Sequence, residues 1–507
     1  MTAVARVDQT SVLDGVSFDV LIVGGGINGA CLYHHLCQQG YRVLLVEKGD
    51  FACGTSQASA MMIWGGLMYL RNAEFLTVRR LCSSRERLVR QMGEWVRARE
   101  FRYVPVPGHG RSPRWIHAAL YVYWLLGGCR RAKPRVQTQF GEQSFLNHGG
   151  SPAALSYEEA RVEPSDARFV LQWLLGHCDA EHVALNHCAL ADGAFDPTTR
   201  EWTVELEDAL CGLHLRARAR WVINAAGVWT DTVNDLFGMV TPWKHVLSKG
   251  VWLGLPRHLD HQTALLFETR TGGDVMTLMP WGPIALWGPT ETLVDHVEEG
   301  FTVTADDVRF LLDEVNRQLR KAVTPGDIVS LRCGVRPLAA PRSYRVHANS
   351  WMELSRRHYV HVDRARPWIS LYGGKLTSCV TLATEVSRLL GRRHGRPTWT
   401  ATHKTSANGV VTSPRYESYP TLREPVVDAR WSLEHEMCWR LDDYLRRRTN
   451  VAQWVARGGL GRNGEHRAHV ASLAATFARD GGASAGQDVA AYQMRIEETL
   501  DRVLSEC

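Results

Sequence analysis

From Phe18 to Val23 the chain is apolar at every position but one. The run lacks the alternation of a half-exposed strand and predicts a strand buried on both faces. Ile27 to Gln39 then carries apolar residues at helical spacing, and Arg42 to Val46 is a second apolar run that ends on Glu47. Farther on, "RARWVINAAG" (218–227) is basic, then apolar, then small, and predicts another buried strand. Within 306–323, Val308, Leu311, Leu312, Val315 and Leu319 recur at the spacing of an amphipathic helix. "HEMCWRLDDYLRRRT" (435–449) predicts a charged amphipathic helix. The most apolar window, "WIHAALYVYWLLGG" (115–128), is too short to cross a bilayer. It reads as a buried helix, or as a weak peripheral membrane contact favoured by Arg111, Arg114, Arg130 and Arg131 at its ends. No internal repeat is visible, and the Ser/Pro/Gly-rich stretch 408–420 reads as a linker or an ordered loop.

The first strand, helix and strand carry chemistry. Gly24, Gly26 and Gly29 form G-x-G-x-x-G between the strand and the helix. Gly24 permits the tight turn, Gly26 removes the side chain where a pyrophosphate approaches the backbone, and Gly29 lets helix and strand pack. The helix N-terminus offers N–H groups and a partial positive charge. Glu47, at the end of the second strand, is placed to accept bonds from ribose hydroxyls, and an acid there disfavours a 2′-phosphate. These features predict a dinucleotide site and do not by themselves separate FAD from NAD.

Composition narrows the rest. The 507 residues, 45% hydrophobic and 22% charged, suit a globular protein of two to four domains. A net charge of +6 permits attraction to anionic ligands or lipid, while no Lys/Arg block is long enough for a nucleic-acid tail. The 12 cysteines include no C-x-x-C pair, which predicts free thiols in a cytoplasmic protein. Residues 1–16 lack the apolar core of a secretory signal and read as a short tail. "GHCDAEHVALNHC" (176–188) gathers His177, Cys178, Asp179, His182, His187 and Cys188, without a repeated ligand pair, and reads as a local cluster and not a metal site. No G-x-S-x-G, Walker loop or HExxH supports a hydrolase, ATPase or metalloprotease. Nothing in the sequence indicates an oligomeric state.

The segment after the first unit, "GDFACGTSQASAMMIWGGLMYL" (49–70), resembles the corresponding stretch of the FAD-dependent glycerol-3-phosphate dehydrogenase family. Further similar stretches follow in order: "WVINAAGVWTD" (221–231), "SKGVWLGLPR" (248–257), "LMPWGPIALWGPTE" (278–291), "CGVRPL" (333–338), "ELSRRHYVHVD" (353–363), "ISLYGGKLTS" (369–378) and "WSLEHEMCWRLDDYLRRRTN" (431–450). The resemblance implies an α/β FAD-binding Rossmann-like domain from residues 17–90, 158–240 and 330–391. An interleaved α+β antiparallel-sheet substrate domain would come from 91–157 and 241–329, and an α-helical C-terminal domain from 392–507. It implies noncovalent FAD held by Gly24, Gly26, Gly29, Glu47, Lys48, Thr55, Ser56, Ala226, Gly227, Gly373, Gly374 and Lys375. Cys53 and Cys333 are the cysteines that could instead attach it covalently. Lys375 and Arg336 would be the catalytic pair, Lys375 lying near flavin and substrate at a helix start. Arg357 matches a second substrate arginine, although His358 replaces the family's aspartate.

The departures fall in the substrate pocket. Where the family has K-L-I-H-G-G-L-R-Y, this chain has Met61, Trp64 and Met68 at the lysine, histidine and arginine positions, and retains Tyr69. K-G-S-H becomes Lys249, Gly250, Val251 and Trp252, and G-T-T-D ends in Pro289, Thr290 and Glu291. Methionine offers a phosphate no charge, and indole offers no base at neutral pH. The expectation is therefore an FAD-dependent dehydrogenase or oxidase that takes hydride from a C–OH or C–NH carbon of a larger, more apolar anionic compound. Glycerol 3-phosphate is expected to be a poor substrate, and a quinone, another carrier or oxygen would accept the electrons. His245 and His358 are the remaining candidates for the proton acceptor. The alternatives are a true glycerol-3-phosphate dehydrogenase with a rearranged phosphate site, and an inactive flavoprotein with a structural or interaction role.

Overall fold

The first apolar run forms Ser17–Val23 (β1), in which Phe18, Val20, Leu21 and Ile22 are fully buried. The computed structural model describes residues 13, 16–105, 112–147, 153–177, 181–269, 275–347, 351, 354, 357–394, 413–478 and 485–507. Most of the expected 1–16 tail, Arg111, Cys178, Asp179 and the 408–412 part of the expected linker lie outside them. Ile27–Gln38 (α1) and Val43–Val46 (β2) follow where the sequence predicts them. Next come Phe75–Gln91 (α2), Val96–Tyr103 (β3), Pro113–Leu126 (α3), Ala154–Val162 (β4), Asp166–Leu174 (α4) and His182–Leu185 (β5). After a β-ribbon (188–208) lie Leu213–Asn224 (β6), Trp243–Pro256 (β7), Ala264–Glu268 (β8), Val275–Trp281 (β9) and Ile284–Gly288 (β10). Ala305–Gln318 (α5), Ser330–Pro341 (β11), Trp368–Tyr372 (β12) and Cys379–His394 (α6) complete the two-sheet body.

The first sheet runs β12-β6-β1-β2-β5, all parallel, with Tyr359–Val362 antiparallel at one edge. Val20, Ile22, Val43 and Leu45 share a core with residues of α1, α4 and α6, while Phe18, Leu21, Leu44 and Val46 pack with Trp202 and Trp368. Burial on both faces is what leaves these strands without alternation. The second sheet runs β7-β10-β9-β8-β3-β4 and is antiparallel except where β8 meets β3. The fold is thus a Rossmann-like α/β sheet, an interleaved α+β part on a mainly antiparallel sheet, and a C-terminal helical region.

Four features differ from expectation. β4 and β11 fall largely in segments expected in the FAD-binding domain, yet both belong to the second sheet. β11 pairs with β7 from Trp243↔Pro341 to Gly254↔Ser330, so the chain returns to the first sheet only near Tyr359. The helix expected over 306–323 stops at Gln318, because Leu319 is extended. Its start is fixed by a capping box between Thr304 and Asp307, and Val308, Leu311, Leu312 and Val315 face the second sheet's core. The 115–128 window is only half buried: α3 buries Ile116, Leu120 and Tyr123 but leaves Trp115 70% and Leu125 59% exposed. The continuous helix expected over 435–449 is broken. Met437 adopts φ 50°, and Asp443 accepts the N–H groups of Trp439 and Arg440 to start a new turn. That break turns Arg447 and Arg448 inward, where both are buried.

Candidate active site

A cleft of ≈ 1370 Å³ lies between the sheets, with the glycine turn at one end and Trp64, Tyr69, Trp252, Arg336 and Lys375 farther along. Gly24 has φ +109°, and a Cβ there would stand 2.6 Å from Ala225 O. A Cβ on Gly29 would stand 1.9 Å from Gly24 O, so helix and strand meet only because both are glycine. Gly26 and Gly227 line the cleft. A Cβ on Gly227 would meet nothing within 4 Å, and one on Gly26 only Ser56 Oγ at 3.1 Å, so side chains there would project into open space. Ala226 lines the same wall.

Glu47 accepts the N–H groups of Gly25 at 2.8 Å and Gly49 at 2.9 Å. Burial raises its pKa, and these two donors oppose the rise. Lys48 Nζ sits 3.8 Å over the Trp229 ring at the cleft wall. Thr55 donates its hydroxyl to Val335 O at 2.5 Å, and Ser56 Oγ accepts the Ile27 N–H at 3.0 Å, bracing the helix start. The bare glycine cradle, the helix N-terminus and the acid at the end of β2 together fit a dinucleotide such as FAD.

At the other end, Gly373 and Gly374 take φ +65° and +96° after β12, a turn that places Lys375 at the mouth of α6. Lys375 Nζ donates to Tyr69 Oη at 2.9 Å and lies 4.6 Å from that ring's centroid. Arg336 bonds Ser248 Oγ at 3.2 Å and the carbonyls of Lys249 and Thr290 at 3.4 Å, and stands 3.9 Å from Glu291. Trp64, Met68 and Trp252 line the cleft, with the Trp252 indole 3.1 Å from where a Gly288 Cβ would be.

Two expected pocket residues stand apart. Met61 is fully buried in the core with a left-handed backbone (φ 53°) just before the short strand Met62–Ile63, and its neighbour Met62 lines the cleft instead. Arg357 is exposed, bonded to Glu74 at 2.9 Å and to Thr77, and does not line the cleft. Neither histidine considered for the proton lines it either. His245 Nε2 accepts the Gly373 N–H at 3.1 Å, with burial pushing its pKa down to about 3, and His358 pairs with Glu385 at 3.0 Å. Cys53 and Cys333 also lie outside the lining. Of the 176–188 cluster, His187 bonds Asp443 at 2.9 Å beside Asp50, and Arg447 and Arg448 claim the carboxylates there.

Sequence reasoning missed one cation. Arg71, on the 3-10 helix Leu67–Asn72, is exposed, lines the cleft and makes no hydrogen bond or ion pair with any described residue. No motif in the sequence marks it, since only the 3-10 turn that follows the left-handed Gly66 brings it to the cleft.

Comparisons with known proteins agree with this geometry. The family model described as FAD dependent oxidoreductase matches residues 19–378. The aerobic glycerol-3-phosphate dehydrogenase of Escherichia coli (strain K12) is 26% identical over 490 residues, covering 86% of this chain and 94% of its own. That of Staphylococcus haemolyticus is 28% identical over 388 residues, covering 75% and 68%. A solved glycerol-3-phosphate dehydrogenase from Bacillus halodurans, complexed with FAD, matches the fold with a TM-score of 0.71 at 18% identity, covering 99% of this chain and 98% of that one. With the glycine cradle, the acid on β2 and a family match over more than two thirds of its length, the chain belongs to the FAD dependent oxidoreductases and holds FAD without a covalent bond.

Proposed function

We propose that this oxidoreductase acts on glycerol 3-phosphate, through a phosphate site rearranged around Arg71. The pitch of the helix Leu67–Asn72 carries the reading. Three residues per turn put Arg71 on the same face as Met68, about 6 Å along the cleft wall. The guanidinium missing at Met68 is thereby supplied one turn later, which departs from the expectation of a poor substrate. The names of the relatives above support the same activity.

FAD supplies the hydride acceptor. Arg71 and Arg336 hold the phosphate. Lys375, steadied against Tyr69, orients the substrate oxygen and offsets negative charge as the C–H bond breaks, while the hydroxyl proton passes to solvent water. Electrons leave to a quinone, another carrier or oxygen. A second reading, a larger hydroxy or amino compound with an apolar part, is favoured by the lining of Trp64, Trp252 and Met68. Anaerobic stopped-flow mixing with glycerol 3-phosphate tests the choice. Fast, saturable loss of the visible flavin band is expected; no loss, together with bleaching by an aromatic hydroxy or amino acid, would replace the first reading with the second.

A peripheral membrane contact belongs to the proposal. Among the described residues no helix is long and apolar enough to cross a membrane. α3 nevertheless exposes Trp115, Val122 and Leu125 near Arg114 and Arg130. Flotation with anionic vesicles at low salt should carry the protein upward, and Trp115→Ser with Leu125→Ser should abolish this. Flotation that survives both substitutions would remove α3 from the contact.

A further inference from the structure

The loop between Glu47 and Ser56 shapes the cofactor cradle from below. The Phe51 ring would meet a Cβ on Gly25 at 2.6 Å, and the Ala52 N–H donates to Gly25 O at 3.1 Å. Ser56 then caps the first turn of α1 at Ile27. The conformation of 50–56 therefore sets the glycine turn.

That loop is gripped from the far end of the chain. Arg448 makes a bidentate pair with Asp50, at 2.6 and 2.9 Å, and Arg447 Nε reaches the same carboxylate at 2.5 Å. Arg447 also bonds Gln57 Oε1 at 3.2 Å, and Arg446 bonds Gln57 O at 3.3 Å. Gln57 in turn donates to Cys53 O at 2.5 Å. Asn186 donates to Asp50 at 2.7 Å and to Met437 O at 2.9 Å, tying the loop after β5 into the same knot. Burial pushes the Asp50 pKa up, but Arg448 and Arg447 outweigh it and hold the carboxyl well below its ordinary value. A buried carboxylate held by two guanidiniums cannot lose one without leaving uncompensated charge.

We propose that Arg447 and Arg448 are positioning residues for FAD: acting through Asp50, the C-terminal region latches the 50–57 loop and so sets FAD affinity. The run lies beyond residue 378, where the family match ends, and Arg446, Arg447 and Arg448 do not line the cleft. The inference rests on the assignment of FAD as the cofactor.

The test uses full-length protein stripped of FAD: wild type, Arg448→Met, Gln57→Ala, and the double variant Asp50→Asn with Arg448→Met. FAD is titrated back, thermal unfolding of each apo form is recorded, and hydrogen exchange is followed in peptides spanning 49–58. Arg448→Met should raise the Kd for FAD about tenfold or more, with faster exchange confined to 49–58, and the double variant should recover part of the affinity. Gln57→Ala, the gentler change, should weaken FAD severalfold and serves if Arg448→Met does not fold. A lower apo melting point with unchanged FAD affinity in the folded variants would reduce the arginines to structural supports and overturn the latch. Wild type that takes up no FAD would instead overturn the cofactor assignment itself.

Discussion

Lys375→Met is expected to slow substrate-driven flavin reduction about 100- to 1000-fold while leaving FAD affinity within a fewfold of wild type. The lysine stands at the turn made by Gly373 and Gly374, and its ammonium is held by Tyr69 at 2.9 Å, so it is fixed before substrate arrives. Methionine keeps the length of the side chain and removes the charge. A group that stabilises developing charge should therefore be lost from the chemical step and not from cofactor binding. Single-turnover bleaching and an FAD titration on the same preparation separate the two. Unchanged reduction kinetics would take Lys375 out of the reaction.

Arg71→Met should raise the glycerol 3-phosphate concentration for half-maximal bleaching about 10- to 100-fold, the size of one charge-assisted contact of roughly 1.5 to 3 kcal/mol. Adding Met68→Arg to that variant should restore much of the loss, since the two positions share a face one turn apart. Both are measured as the substrate dependence of bleaching. If Arg71→Met shifts nothing, the phosphate is held elsewhere and the rearranged site is wrong. Arg336 alone is a poor candidate for that role, because protein acceptors and Glu291 already surround its guanidinium.

Some of this was legible because backbone geometry dictates residue type. Gly24 and Gly29 could be placed from spacing alone, since any side chain there collides with Ala225 or Gly24. Glu47 followed from its position at the end of β2. Side-chain direction was harder. The resemblance put Met61 in the pocket, but its left-handed backbone (φ 53°) just before the short strand turns it into the core, and the residue that reaches the cleft is Met62. Arg71 was hidden for a related reason: only the 3-10 pitch, and not the sequence match, puts it beside Met68. The arginines at 446–448 belong to the stretch whose sequence predicts one charged amphipathic helix over 435–449. What inverted them was a single left-handed residue, Met437, and a capping carboxylate, Asp443, neither of which periodicity reports.

The order of strands in the first sheet has a consequence for synthesis. β1 pairs with β2 soon after both are made, but its other neighbour is β6, where Ser17 meets Arg218, and β6 in turn awaits β12 at Trp368–Ser370. A nascent chain that has exposed the whole glycine turn therefore still presents one open edge of its central strand to solvent. It keeps that edge until some two hundred further residues have left the ribosome, and the next edge until β12 emerges. Such late, long-range pairing is slow and prone to association with other strands. FAD uptake should accordingly belong to the released or nearly released chain, and premature termination anywhere before β12 should yield aggregates and not a smaller flavoprotein.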